Sequence, residues 1–310
     1  MKDYDLFGEP VIEKTNLKGE FIIPPFSILD TASGDWQNRK NMWKSLGIKS
    51  EVGRENDNSN QIMSPDGRMF GLKSKKTSAI RLSESGNDIT KTPYVSIFDP
   101  LLCELMYKWF VPKGGSILDP FAGGSVRGIV SNHLNYNYTG IELREEQVDA
   151  NVQQGVDIVP NNRPVWVCGD SNQVLDKMDK TYDFVFSCPP YYDLEVYCDD
   201  PNDLSNMSFK DFNSVYESII KKCCKLLKNN RFACFVVGNC RDKDGYMMDL
   251  VGTTIRAFEK AGLKFYNDII LRNPVGSGSL RAVGNMKYKK LVKMHQNVLV
   301  FCKGDFKEVF

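Results

Sequence analysis

The sequence predicts an α/β protein: a mostly parallel, seven-stranded sheet covered on both faces by helices, with a small irregular and helical segment in front of it. Three observations predict it. From Ser116 onward, short continuous apolar runs alternate with segments patterned at helical spacing, as expected of buried parallel strands. The first apolar run leads into Asp119-Pro-Phe-Ala-Gly-Gly-Ser125, a small-residue turn followed by a helical pattern. The fourth ends in Ser187-Cys-Pro-Pro-Tyr-Tyr-Asp193.

Residues 1–34 mix short apolar pieces with turn residues, and a short helix follows, with Asp35 as N-cap, Trp36, Lys40, Trp43 and Leu46 along it, and Gly47 as its stop. Residues 49–91 are polar and rich in Ser, Asn and Gly, with Arg54, Arg68, Lys73, Lys75, Lys76 and Arg81. We expect residues 1–91 to form a basic, loop-rich N-terminal segment. Basic residues interleaved with tryptophans suit nucleic acid, through phosphate neutralisation and base stacking, and equally suit a solvated loop over a helical cap. Residues 92–310 are expected to form the main α/β domain. It opens with Asp99-Pro100, an N-cap and a proline at the first helical position, ahead of the apolar face Leu101, Leu102, Leu105, Met106, Trp109 and Phe110. Strands are expected at 116–119, 138–143, 165–170, 182–187, 231–238, 265–272 and 297–303, and helices at 125–134, 144–154, 208–228 and 246–261. Ser208-x-x-Asp211 reads as a capping box, and Gly262 as a helix stop. The last two strands, joined by a basic loop (Arg272, Arg281, Lys287, Lys289, Lys290, Lys293), should pair as an antiparallel hairpin.

Composition sets bounds. The chain has 310 residues, a formal net charge of +1 and nine cysteines without a Cys-x-x-Cys pair. With only His133 and His295 as possible nitrogen ligands, a zinc site is not expected, and the thiols read as reduced and mostly buried. There is no membrane-length apolar run and no apolar signal region, so a cytoplasmic location and no membrane partner are expected.

The polar residues collect at the carboxyl ends of the first four core strands, where such sheets bind ligands. These are Asp119 with the Ala122-Gly123-Gly124 turn, Glu142, Asp170 with Ser171, and the Cys188-Pro189-Pro190-Tyr191 turn. Glu142 lies at the distance past the glycines where an acid takes ribose hydroxyls, and Asp170 can accept an adenine amino group. The turn is not Gly-x-Gly-x-x-Gly, and no phosphate-gripping loop is present, so an adenosyl ligand without pyrophosphate fits: S-adenosylmethionine. Two prolines give a rigid exit without N–H donors and leave carbonyls free to accept. Acceptors beside an aromatic platform are what methylation of a poorly nucleophilic exocyclic amine requires. A base in a duplex must first be flipped out, and Tyr191 or Tyr192 would then stack on it.

Asp119-Pro-Phe-Ala-Gly-Gly-Ser125 followed by Ser187-Cys-Pro-Pro-Tyr191 resembles the DNA amino-methyltransferases, which methylate N6 of adenine or N4 of cytosine. The resemblance covers 92–303; Pro24-Pro-Phe-Ser-Ile-Leu-Asp30 and Gly34-Asp-Trp-Gln-Asn-Arg-Lys40 also look like bacteriophage-encoded methyltransferases. It implies a Rossmann-like class I methyltransferase fold and a DNA partner. It also implies a cofactor site of Phe98, Asp119, Pro120, Phe121, Ala122, Gly123, Gly124, Glu142, Asp170 and Ser171, with Phe98 and Phe121 near the methionine end. The catalytic turn is then Cys188, Pro189, Pro190 and Tyr191. The family carries Asp, Asn or Ser where this chain has Cys188, and a thiol is a weak acceptor. Either the Pro189 carbonyl carries most of the load, or Ser187 or Asp193 substitutes, or the target differs. Cys188 as a nucleophile toward a pyrimidine carbon, an RNA substrate, and a binding module without transfer are the competing expectations.

Overall fold

The computed structural model describes residues 17–49, 62–63, 69–70, 98–192, 198, 200–276 and 278–309. Most of the polar stretch with Arg54, Arg68, Lys73, Lys75, Lys76 and Arg81, and also Asp193, falls outside them.

The central sheet has eight strands: β1 Ile28–Asp30, β2 Ser116–Asp119, β3 Asn137–Glu142, β4 Val165–Cys168, β5 Tyr182–Ser187, β6 Leu227–Val237, β7 Lys264–Arg272 and β8 His295–Lys303. Their spatial order is β1-β7-β8-β6-β5-β2-β3-β4. The run from β6 to β4 is parallel throughout, while β8 is antiparallel to both β6 and β7. The expected hairpin is therefore present. The sheet has one strand more than expected, because β1 pairs in parallel with β7 beyond it. Three residues after a Pro-Pro pair are too few for a period to show.

Periodicity of two explains the layers. On one face Phe184, Phe186, Cys234, Val236, Val298 and Val300 pack under the helices α2 Gly34–Lys44, α3 Pro100–Phe110 and α4 Val126–His133. The intervening Val185, Ala233, Phe235, Leu299 and Phe301 face α7 Phe209–Leu226 and α8 Leu250–Lys260. Both faces are covered, which is why the strands read as unbroken apolar runs. The remaining helices are α1 Leu17–Phe21, α5 Glu145–Ile158, α6 Ser171–Val174 and α9 Gly278–Met286.

Several helix starts are as expected. Asp99 caps α3 with Pro100 at its first turn, and the Ser208 Oγ accepts from the Asp211 N–H at the head of α7. Others differ. Ser33, not Asp35, caps α2, leaving Asp35 in the first turn where an acid suits the helix dipole. The segment 246–249 does not start α8: Met247–Met248 pairs with Cys240–Arg241, and Asp249 caps the helix. The connection between β7 and β8 is not a plain loop, since it contains α9.

The cationic face expected of α2 is engaged internally. Trp36 and Trp43 are buried rather than displayed for stacking. Arg39 donates through Nε (2.9 Å) and Nη2 (2.5 Å) to Glu104 of α3, and Trp43 Nε1 donates to the same carboxylate at 2.7 Å. Lys40 and Trp36 both donate to Asp99 Oδ2, at 2.8 and 3.0 Å. Only Lys44 of the three cations points outward. Among the described residues no helix is long and apolar enough to cross a membrane.

Glu104 is fully buried, so removing its carboxylate strands an indole N–H and a guanidinium. Glu104→Ala should lower unfolding stability by about 2–4 kcal/mol in a denaturant titration. A change under about 0.5 kcal/mol, the range of ordinary surface substitutions, would show that the contact is incidental.

Candidate active site

β2 lies where the strand order reverses, with β3 on one side and β5 on the other. The crevice at the carboxyl ends of such strands is where ligands bind in open α/β sheets. A cavity of about 410 Å³ opens there. Phe98, Pro120, Phe121, Ala122, Gly123 and Gly124 line it, and so do Glu142, Asp170 and Ser171. The turn Cys188-Pro189-Pro190-Tyr191 forms another wall. Every sequence-expected site residue but one reaches this single space.

The exception is Asp119. Its carboxylate is fully buried beneath the cavity. Oδ2 accepts from Arg127 Nε at 2.5 Å and from the Tyr138 hydroxyl at 2.7 Å. Oδ1 accepts from the Phe121 N–H at 3.1 Å and from the Ser187 hydroxyl at 2.5 Å. The carboxylate thus ties the glycine turn to the last residue of β5, from which the Cys-Pro-Pro-Tyr turn departs. Burial works against the Arg127 charge, but Asp119 beside it holds the guanidinium more firmly protonated than usual. Burial and then Asp119 likewise raise the Tyr138 hydroxyl. Arg127 Nη2 further donates to the carbonyls of Phe121 (2.5 Å) and Ala122 (2.8 Å), and its guanidinium lies 4.6 Å from the Phe98 ring centroid. One buried cation therefore holds three of the residues expected at the cofactor. Sequence reading missed Arg127, although an arginine within an apolar helix eight residues after an aspartate was the available signal.

The glycine turn sits close against β3. Gly123 has φ +51°, and its N–H donates to Glu142 Oε2 at 2.9 Å. Asn151 of α5 donates to the Gly123 carbonyl at 2.7 Å. A Cβ on Gly140 of β3 would come within 2.6 Å of the Tyr138 ring and 2.9 Å of the Ala122 Cβ, so only glycine permits this approach. The other Glu142 oxygen accepts from the Arg144 N–H at 3.1 Å. Asp170 caps α6 through the Asn172 N–H at 2.9 Å, and the Ser171 hydroxyl donates to the Pro120 carbonyl. Three strand ends are thereby cross-linked around one space.

In the Cys-Pro-Pro-Tyr turn the two tyrosines part. Tyr191 lines the cavity, its hydroxyl accepting from Gln296 Nε2 of β8 at 2.7 Å, with Cys188 Sγ 3.9 Å away. Tyr192 turns into the core at φ +49°, its ring 4.4 Å from that of Phe212, and burial pushes its hydroxyl up to about 12. Of the two candidate stacking surfaces, only Tyr191 faces the cavity. Gln296 carried no sequence signal. Nor did Thr31, which with Gln37 and Lys40 adds the N-terminal segment to the cavity wall. Among the described residues no group of three or more His, Cys, Asp or Glu could hold a metal ion.

Residues 182–310 match the model of a DNA methylase family. The matched stretch starts at β5 and takes in the Cys-Pro-Pro-Tyr turn; the glycine turn at 119–125 lies before it. A methylase of this family draws its methyl group from S-adenosylmethionine, the cofactor expected from the sequence. No curated protein sequence matches the chain. Among solved structures, the [4+2]-cyclase SpnF is 15% identical, with a TM-score of 0.47, over 69% of this chain and 85% of that one. TrmN from Thermus thermophilus is 12% identical, with a TM-score of 0.44, over 66% of this chain. This chain spans about half (49%) of the TrmN chain. A putative RNA methyltransferase from Pyrococcus horikoshii is 13% identical, with a TM-score of 0.42, over 69% of this chain and 92% of that one. These likenesses are too loose to carry a functional argument.

The stretch that matches the methylase family also holds a half-buried amine. Lys293 donates to the Asn239 carbonyl at 3.0 Å, and burial pushes its pKa from 10.5 down to about 8. The unfolded chain keeps that proton up to about pH 10.5, so between pH 8 and 10.5 folding releases a proton and stability rises with pH. Relative to Lys293→Met, which cannot titrate, the wild type should gain stability steadily across that window in denaturant titrations. A difference that stays constant with pH would contradict the burial.

Proposed function

We propose that the protein transfers a methyl group from S-adenosylmethionine to an exocyclic amine of a DNA base, N6 of adenine or N4 of cytosine, flipped into the cavity. The carrying observation is that the glycine turn at 119–125 and the Cys-Pro-Pro-Tyr turn line one cavity, fastened to each other through Asp119.

The cavity fits the cofactor in its chemistry. About 410 Å³ lies within the range of small-molecule sites. The carboxylates of Glu142 and Asp170 suit hydroxyls and an amino group, the rings of Phe98 and Phe121 suit the apolar end, and no loop is built for a pyrophosphate. When bound, S-adenosylmethionine supplies an electrophilic methyl group. The chain's own residues do the rest. Tyr191, steadied by Gln296, presents an aromatic surface on which the target base stacks. The carbonyls of the proline pair accept from the amine hydrogens, favouring a tetrahedral nitrogen and stabilising the positive charge that grows on it. The cavity walls keep water out and hold the acceptor in line, which is the larger share of the work in a direct displacement. Cys188 lines the wall without being required as an acceptor. Of the basic residues between β7 and β8, Arg272 pairs with Asp30 and Lys293 is half-buried, so contact with the phosphate backbone is assigned to Lys287, Lys289 and Lys290.

Transfer of a labelled methyl group to DNA and to RNA, with cofactor binding measured separately, tests the assignment. Tyr191→Ala should reduce transfer to DNA by about 10- to 100-fold, the equivalent of the roughly 1–3 kcal/mol in a base–aromatic stack, with cofactor affinity within about threefold of wild type. Equal loss of both, or transfer to RNA alone, would contradict it. Cys188→Ser should remain active; an inactive variant that still binds cofactor would instead favour covalent addition to a pyrimidine carbon.

A further inference from the structure

The helix α9 lies in a segment whose two ends reach the cavity. Asn273 and Pro274 before it and Gln296 after it line that space, at the carboxyl end of β7. Its apolar residues are turned outward, whereas the core helices bury most of theirs. Leu280 is 85% exposed and Val283 72% exposed, three residues apart and so on one face, with Met286 continuing the row. Tyr288 and Leu291 beyond it are exposed as well. A cluster of this kind on a soluble protein marks a contact surface. Its electrostatic setting selects the partner. The segment 273–296 contains Arg281, Lys287, Lys289 and Lys290 and not one Asp or Glu. A segment that joins exposed apolar side chains to several cations and carries no acid of its own matches a polyanion that also offers an apolar gap, which is what a DNA base step presents when unstacked.

We propose that Leu280 and Val283 form a wedge that enters the duplex beside the target base and occupies the space it vacates, while the surrounding lysines hold the phosphates. The wedge rests on the reading of the cavity as a base-amine methyltransferase site. Extruding a base costs stacking and pairing energy, and an apolar side chain filling the gap offsets part of that cost. The placement is suitable: a base leaving the duplex at α9 enters the cavity past Gln296 toward Tyr191.

The test uses the full chain and genomic DNA from a host without DNA methylation, native and heat-denatured. The double variant Leu280→Ala with Val283→Ala should lose about tenfold or more of its methyl transfer to native DNA, and much less on denatured DNA, whose bases are already unpaired. Its affinity for native DNA at fixed salt should change far less, because the phosphate contacts remain. In parallel, Leu280→Trp should show tryptophan emission quenched on adding native DNA, with Ser279→Trp, one position round the helix, largely unaffected. Wild-type transfer rates in the double variant, equal losses on native and denatured DNA, or unquenched Leu280→Trp emission would each overturn the wedge. So would a concentration-dependent dimer that disappears in the double variant while transfer persists, since the face would then serve a second copy of the chain. Failure of the wild type to methylate any nucleic acid would instead count against the methyltransferase reading, and the fluorescence arm would still decide whether the helix enters a duplex.

Discussion

The buried carboxylate of Asp119 is the constraint on which the site depends. Two turns more than 60 residues apart in sequence must face each other across a cavity, and each leaves a different strand. Asp119 reaches both: it accepts from the Phe121 N–H within its own turn and from the Ser187 hydroxyl at the end of β5. Arg127 neutralises it and in turn holds the carbonyls of Phe121 and Ala122 and the ring of Phe98. A buried ion pair adds little net stability over an apolar pair of the same volume, but breaking it from one side is costly, so its arrangement is sharply specified. Here that specificity keeps two functional turns in register. The acid expected to touch the cofactor shapes the residues that line the cavity.

Much of this was legible in the sequence, for reasons that can be traced. β2 and β5 read to the residue because they are fully buried, with continuous apolar runs closed by Asp-Pro and by Cys-Pro-Pro. The starts of α3 and α7 were legible because Asp-Pro and Ser-x-x-Asp are local chemistry that satisfies the first N–H groups. What escaped had no local signature. β1 is three residues long and is defined by its pairing with β7. α9 lacks a buried face, so its apolar spacing pointed to no core. Gln296 matters through a contact with Tyr191 across 105 positions, which no window of sequence contains.

The cations teach a similar lesson. Arg39 and Lys40 look like a nucleic-acid surface when read beside Trp36 and Trp43, but they are the positive halves of ion pairs that fasten α2 onto α3. Through Lys40 and Trp36 that helix also positions Asp99 at the cavity wall. Between β7 and β8 the same residue types stand beside exposed apolar side chains with no acid among them.

The central claim is that the cavity where the two turns meet methylates an exocyclic amine of DNA. Expression of the protein in a host lacking DNA methylation, followed by mass spectrometry of the nucleosides, measures it directly. The account predicts N6-methyladenine or N4-methylcytosine in the DNA, absent when Tyr191 is replaced by Ala. Unmodified DNA, C5-methylcytosine, or new methylated nucleosides confined to RNA would contradict it.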